Sequence, residues 1–280
     1  MNLEIAKQQL ESGNFIDALN TLEAALAQVD TSSNDYAQTL NLLGEVYVRL
    51  ADVKKAREYF NQALAAAQDT TTRAEALGNL GMISSNRKEA IQFYEQALAL
   101  FTEDNWRGRG AVLNNIGMAY SNMGKRDEAL IYYQQALEIY QNAADQQGEG
   151  ATLNNIAKLY DAIGDREKAL ATFQQALDIR RAISDKKGEA TTLDNIGGIY
   201  AHAGDARTAL SYFQQSLAIL EELDDKAALV ITLTNIAGSY IKLGERRTAD
   251  QYKKRIKSLQ KAVQDAQKAQ KKRLKERSKK

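Results

Sequence analysis

The central part of this chain repeats itself at a period of forty residues. The segment Leu113–Tyr140 returns at Leu153–Arg180 and again at Leu193–Leu220, with its apolar, glycine and alanine positions kept. Such self-similarity is typical of stacked repeat proteins, in which each unit buries its apolar face against its neighbours. Stacked repeats usually build long binding surfaces and rarely build closed catalytic pockets, so the period favours a binding function.

Each unit has the apolar pattern of two helices. In the first of these segments, apolar side chains recur at i, i+3, i+4 and i+7 as far as Tyr120, which is one face of a helix. Gly124 then favours a left-handed helix end, and a second helix is predicted from about Arg126 to Asn142. We expect the small residue Gly117 at a close helix contact, with the large Tyr133 filling the space beside it.

These columns of small and large residues resemble the tetratricopeptide repeat (TPR). They are most similar to a forty-residue subset that includes kinesin light chains, Pins-type polarity adaptors and many bacterial proteins. The resemblance covers nearly the whole chain. It implies an all-α fold, a right-handed superhelix of antiparallel helix pairs (an α-solenoid) with about seven repeats. The units approximate to residues 2–30, 37–69, 74–102, 110–143, 150–183, 190–223 and 230–263, and residues 264–280 form a basic extension expected to be frayed helix or disordered.

The linkers between units share one polar position. An aspartate or asparagine there is expected to cap the next helix, because its side chain can accept from the free backbone N–H groups of the first turn. The residues in this column are Asp69, Asn105, Asp145, Asp185 and Asp225.

Two units depart from the pattern. The third lacks three residues between its helices, so we expect a tight turn there. The seventh has Lys253 in an aromatic position, and Lys254 and Lys257 would give its second helix the polar outer face of a terminal cap. The tyrosines that recur on the first helices, such as Tyr120 and Tyr160, are interpreted as core and not as a nucleic-acid stacking surface.

Amide side chains flank the apolar stripe of the first helices. An amide both donates and accepts, so a row of amides can pair with the backbone of an extended peptide; the alternative is that they bond locally or to water. In the TPR family this flank lines the concave groove. The candidate groove residues are Asn79, Asn114, Asn115, Asn154, Asn155, Lys158, Asp194, Asn195 and Asn235.

Charge is unevenly distributed. The formal net charge is +1, and because residues 264–280 alone have +6, the remaining residues have −5. This basic tail predicts a weak contact with anionic membrane or nucleic acid, with a solubilising role as the alternative. The candidate anion-binding residues are Lys268, Lys271, Lys272, Arg273, Lys275 and Arg277.

Composition argues against several functional classes. The chain has no cysteine and a single histidine, His202, so no zinc site and no histidine triad is expected. No cofactor is expected either. The sequence contains no proline and no apolar run long enough for a transmembrane helix, and its N-terminus lacks a signal-peptide pattern, so we expect a soluble cytoplasmic protein.

The sequence therefore predicts a non-enzymatic adaptor or assembly scaffold that binds a peptide segment of another protein in its groove. The alternative is a regulatory protein that changes conformation on binding a short signalling peptide. An enzyme is the weakest class, because no catalytic constellation is found.

Overall fold

A computed structural model describes the backbone of residues 2–277 and the side chains of residues 3–269 and 272–274. Fourteen helices occupy this described backbone, and no strand occurs in it. The helices are α1 (Asn2–Glu11), α2 (Phe15–Leu26), α3 (Asn34–Arg49), α4 (Val53–Ala66), α5 (Thr70–Ile83), α6 (Arg87–Leu100), α7 (Trp106–Asn122), α8 (Arg126–Asn142), α9 (Gln146–Ile163), α10 (Arg166–Ala182), α11 (Lys186–His202), α12 (Ala206–Glu222), α13 (Lys226–Lys242) and α14 (Arg246–Arg277). The all-α repeat fold implied by the sequence is confirmed.

The chain divides into two compact units, Met1–Gly148 and Glu149–Lys280. In the first unit each helix from α1 to α8 packs against the next one in sequence. In the second unit the same holds from α10 to α14. Each unit thus buries its apolar residues between successive helices, as a stack of helix pairs requires.

A glycine facing an aromatic ring forms the contact inside several helix pairs. A Cβ atom built on Gly117 would lie 2.7 Å from the ring of Tyr133, so only glycine allows the two helices to approach this closely. The same arrangement recurs between Gly197 and Phe213, where the distance is also 2.7 Å. The predicted small-against-large contact is confirmed.

The helix ends follow the predicted capping residues. Asp69, Asn105, Asp145, Asp185 and Asp225 each accept a hydrogen bond from the backbone N–H three residues later, at distances between 2.6 and 3.1 Å. At the other end of the first helices, Gly124 has φ 75°, the left-handed conformation expected of it.

The third helix pair differs from the prediction. Its two helices are joined by three residues, Ser84 to Asn86, which is the same length as the connection between α7 and α8. The missing residues shorten the helix itself, because α5 has 14 residues and α7 has 17. The expectation of a tight turn is therefore wrong, since a deletion of three residues removes close to one helical turn and leaves the connection intact.

An arginine replaces an aromatic residue near the end of α10. Tyr140 on α8 packs against Gly148, whose Cβ would lie 2.3 Å from the ring. At the corresponding place after α10, the Arg180 Nη1 atom lies 2.7 Å from Asp185 Oδ2, and the side chain is 11% exposed. A Cβ on Gly188 would lie 1.4 Å from that nitrogen, so a larger residue there would displace the ion pair.

The last helix ends the second unit with a polar surface. Lys253, Lys254 and Lys257 on α14 are exposed, as predicted for a terminal cap, whereas Ile256 is buried among residues of α12 and α13. The backbone of α14 continues as helix through Arg277.

Candidate functional site

The candidate groove residues lie on the first helices of the third to seventh pairs. Within each compact unit, three columns of residues define a surface that we call the first-helix face. The asparagine column consists of Asn79, Asn115, Asn155, Asn195 and Asn235. The preceding column consists of Asn41, Asn114, Asn154, Asp194 and Thr234, and the variable column, which directly follows the small core residue of each helix, consists of Glu45, Met82, Met118, Lys158, Gly198 and Gly238.

All five members of the asparagine column are half-buried. Two of them bond to a neighbouring first helix: Asn79 Nδ2 donates to Glu45 Oε1 at 3.4 Å, and Asn195 Nδ2 donates to Asn154 Oδ1 at 3.0 Å. Among the described residues, the side chains of Asn115 and Asn235 make no hydrogen bond. The column thus presents accessible amide groups, part of whose hydrogen-bonding capacity is unused.

The preceding column connects successive first helices. Asn41 is 3% exposed, and its Nδ2 donates to the backbone oxygen of Thr72 on α5 at 3.4 Å. Asn154 is 7% exposed, and its Oδ1 accepts from Thr192 Oγ1 on α11 at 3.4 Å. These bonds give the column a role between repeats, and its contact with a ligand stays a prediction.

Buried threonines supply the partners of the preceding column, and the sequence-based argument missed them. Thr152, Thr192 and Thr232 are fully buried and recur at the forty-residue period of the chain. A polar residue kept at a core position of a repeat indicates a buried hydrogen bond, because an unpaired hydroxyl there would cost free energy. That periodicity was the available signal.

Asp194 has an unusual environment for a carboxylate. Its Oδ2 accepts a hydrogen bond from Thr232 Oγ1, whereas its Oδ1 is buried without a donor among the described residues. Ser216 lies close enough for its hydroxyl to favour the charged form, but the Oγ atom does not reach hydrogen-bond geometry. Desolvation by burial outweighs the effect of these two hydroxyl groups, so the pKa of Asp194 is raised to about 6.

Two further carboxylates lie on the first-helix face of the first unit. Burial is the largest cause of the raised pKa of both Glu45 and Glu75, and the negative charge of Glu45 adds to the effect on Glu75. Lys7 and, for Glu45 alone, Arg49 act in the opposite direction as nearby positive charges. The side chain of Glu75 is exposed.

The variable column differs between the two units. Met82 and Met118 are 49% and 46% exposed, and Lys158 is also exposed. A Cβ atom on Gly198 or Gly238 would meet nothing within 4 Å, so no packing contact in the described structure explains either glycine.

The basic tail is described only in part. The side chains of Lys268, Lys272 and Arg273 are exposed on α14. The side chains of Lys271, Lys275 and Arg277 lie outside the described residues. Contact of this tail with anionic membrane or nucleic acid stays a prediction.

No group of three or more His, Asp or Glu side chains among the described residues is placed to hold a metal ion. None of the described helices combines the length and the apolar composition needed to cross a membrane.

Comparison with known proteins agrees with the repeat architecture. A sequence profile of the tetratricopeptide repeat matches residues 1–69, 108–182 and 188–269. Among curated proteins, a probable assembly chaperone of rpl4 from Schizosaccharomyces pombe is 34% identical over 73 residues, which are 25% of this chain and 22% of that protein. The match thus spans about a fifth of the length of that relative.

Solved structures resemble nearly the whole chain. The apo form of RapI has a TM-score of 0.71 at 15% identity, with 94% of this chain and 98% of that chain covered. A Rap protein complexed with Competence and Sporulation Factor has a TM-score of 0.68 at 20% identity, with 92% of this chain and 75% of that chain covered. At such low identity these likenesses show the fold alone.

Proposed function

This chain belongs to the tetratricopeptide repeat family, and from that premise we propose that it is a non-enzymatic adaptor or assembly scaffold. Its ligand is a peptide segment of a partner protein, bound along the part of the asparagine column that lies in either compact unit. Chains with this fold generally form protein–protein interaction surfaces and carry their specificity in the surface residues of an unchanged core.

The observation that carries the proposal is the recurrence of an accessible amide on five first helices. Asn115 and Asn235 make no hydrogen bond among the described residues, although each side chain is half-buried. A side-chain amide can donate to a peptide carbonyl and accept from a peptide N–H, so a row of amides holds an extended backbone with little side-chain preference.

One relative supports an assembly role in a limited way. The matched protein from Schizosaccharomyces pombe is described as a probable assembly chaperone of rpl4, and the matched region is 73 residues long. A chaperone of that kind must hold a protein client, which is the class of partner proposed for this chain.

Binding to peptides selected from a random library tests the proposal. The double variant Asn115→Ala/Asn235→Ala should weaken binding of a selected peptide by roughly fivefold to a hundredfold, because the bonded peptide groups lose their partners. Helicity and thermal melting should stay nearly unchanged, since neither amide bonds within the described chain. Isothermal calorimetry and circular dichroism measure the two effects.

The matched control removes two amides from second helices. Gln134 on α8 and Gln175 on α10 are exposed, so Gln134→Ala/Gln175→Ala should leave the dissociation constant as it is. Equal losses in the two double variants, or normal binding by Asn115→Ala/Asn235→Ala, would refute a role for the asparagine column.

A further inference from the structure

The first unit has a distinctive sequence of side chains along its variable column. Glu45 on α3, Met82 on α5 and Met118 on α7 each directly follow the core glycine of their helix. The helix α5 packs against both α3 and α7, so the three positions lie on neighbouring elements of one compact unit. Glu75 lies two turns before Met82, at spacing i, i+7, and therefore on the same face of α5. We call these four residues the acidic–methionine strip.

Among the described residues, neither carboxylate of the strip forms an ion pair. Glu45 Oε1 accepts a hydrogen bond from Asn79 Nδ2 at 3.4 Å. Lys7 influences the pKa of both groups without pairing with either of them. Two carboxylates close enough to repel each other are stabilised by a positive charge placed between them.

A buried acceptor lies beside the carboxylates. Asn41 is one turn before Glu45 on α3, and its amide nitrogen reaches the backbone oxygen of Thr72 on α5, so the amide group lies between the two helices. The Oδ1 atom is buried and lacks a donor among the described residues. The side of the strip formed by α3 and α5 is therefore rich in oxygen acceptors, which favours a cationic ligand group.

The methionines supply the apolar part of the strip. Met82 and Met118 are 49% and 46% exposed and occupy equivalent positions on adjacent helices. Methionine side chains are flexible and polarisable, and proteins use them on surfaces that adapt to apolar partners. An exposed apolar pair next to an acidic pair is a surface on which an amphipathic segment can bind.

The spacing of the helices sets the spacing of the ligand. Packed helices lie about 8–10 Å apart. An extended peptide rises about 3.3 Å per residue, so one step from a first helix to the next corresponds to about three residues. A peptide lying across α3, α5 and α7 would thus meet the carboxylates and then the two methionines at intervals of about three residues.

We propose that the acidic–methionine strip binds an extended segment of a partner protein that has one lysine or arginine and two apolar side chains, spaced about three residues apart. The inference rests on the proposed peptide-binding function and adds the chemistry of the ligand. Charge complementarity identifies the basic residue, and the two exposed methionines identify the apolar ones.

The basic tail of a second copy is a poorer occupant. Residues 264–280 supply many cations, but Leu274 is their one large apolar residue. The backbone of this stretch is helical through Arg277, whereas the proposed ligand is extended. A partner protein therefore fits the strip better than a second copy does.

The test uses labelled peptides of defined charge and the full-length protein. Two peptides contain a lysine and two leucines at steps of three in a Gly/Ser background, one in each order. Each is also made with glutamine and with glutamate in place of the lysine. Fluorescence anisotropy should show the lysine peptide of one order binding about fivefold to tenfold more tightly than its glutamine counterpart, and the glutamate peptide binding least.

Variants of the strip separate charge from apolar contact. Glu45→Gln/Glu75→Gln should abolish the preference for lysine while leaving the glutamine peptide unaffected. The control Glu58→Gln/Glu95→Gln removes two exposed carboxylates from α4 and α6 and should keep the preference, although its net charge is the same. Met82→Ser/Met118→Ser should weaken binding of the lysine, glutamine and glutamate peptides of the preferred order to a similar extent.

Three results would overturn the inference. The first is that the lysine peptides do not bind, or bind no more tightly than the glutamate peptides. The second is loss of the preference in both charge variants alike. The third is self-association in sedimentation that disappears both on deleting residues 264–280 and in Glu45→Gln/Glu75→Gln, which would identify a second copy as the occupant.

The outcomes distinguish a failure of the strip from a failure of the proposed function. If library-selected peptides still depend on Asn115 and Asn235 while charge has no effect, peptide binding by the asparagine column stands and the strip does not. If binding of the selected peptides is unchanged in Asn115→Ala/Asn235→Ala but depends on the charge of the strip, the strip is a binding site and the asparagine column is not.

Discussion

The two compact units place different chemistry at the same position of their first helices. In the first unit the variable column presents Glu45, Met82 and Met118, and in the second it presents Lys158, Gly198 and Gly238. The first set presents long side chains at the surface, whereas two of the three positions in the second set have no side chain.

The residue just before each position shows that this difference does not come from core packing. A Cβ on Gly197 would lie 2.7 Å from the ring of Phe213, whereas a Cβ on its neighbour Gly198 would meet nothing within 4 Å. The two glycines therefore have different causes. The first is required by a helix contact that both units share, and the second belongs to the surface, where repeat proteins vary their binding chemistry.

The largest expected effect concerns the contact between a core glycine and an aromatic ring, which both units contain. Gly117→Leu and Gly197→Leu should each lower the free energy of unfolding by about 3 kcal/mol, because a branched side chain cannot fit against Tyr133 or Phe213. Urea unfolding followed by circular dichroism measures both variants. Similar losses in the two units are expected, and a tolerated leucine at either site would show that the helix contact there is looser than described.

A second prediction concerns the preceding column, in which the first unit has the amides of Asn41 and Asn114, whereas the second unit has the carboxylate of Asp194 beside the amide of Asn154. Burial raises the pKa of Asp194 to about 6, from an ordinary value of 3.8. A raised carboxyl pKa favours the folded chain when the group is protonated, so this contribution is complete below about pH 4 and is lost as the pH rises through 6. The rise of this pKa from 3.8 to about 6 corresponds to a loss of about 2–3 kcal/mol in the free energy of unfolding.

Replacing that carboxylate with the amide found in the neighbouring repeat should reduce the pH dependence. Asp194→Asn keeps an acceptor for Thr232 and matches Asn154, which is buried in the same column. Melting temperatures measured between about pH 4 and 7 should fall less for the variant than for the parent, because Glu45 and Glu75, whose pKa values burial also raises, remain in both. Asp127→Asn, which changes an exposed carboxylate on α8, should behave like the parent. A parallel fall in Asp194→Asn would show that other groups cause the pH dependence.

The features that the sequence predicted correctly are local or periodic. The caps formed by Asp145 and Asp185 need only the residue type and the first turn of the next helix, and the left-handed Gly124 needs only a helix end. The contact of Gly117 with Tyr133 followed from matching columns in successive repeats.

Features that depend on neighbouring repeats could not be predicted in the same way. The effect of the shortened third pair depends on whether a helix or a connection absorbs the deletion, and the apolar pattern does not decide this. The raised pKa of Asp194 depends on how neighbouring helices bury its carboxyl group, an effect that hydroxyl groups on α12 and α13 offset only in part. Of the candidate site, the sequence located the asparagine column on the first helices, but its ligand contacts stay a prediction.

The smallest expected effect concerns the surface glycines, where the two units differ. Alanine at Gly198 or Gly238 should raise the free energy of unfolding by about 0.5–1 kcal/mol, because a helical glycine has more conformational freedom to lose on folding than alanine has. Neither residue has a positive φ, and the added methyl group would meet no atom within 4 Å. Gly197→Ala is the matched control, and it should be destabilising because its methyl group would overlap the ring of Phe213. Differential scanning calorimetry would measure these opposite signs at consecutive positions of α11.

If Gly198→Ala is also destabilising, the open space above this helix is not present in solution. If it stabilises the fold and at the same time weakens binding of a selected peptide, the glycine is kept for close approach of the ligand backbone, and the second unit binds by exposed main chain where the first unit binds by side chains.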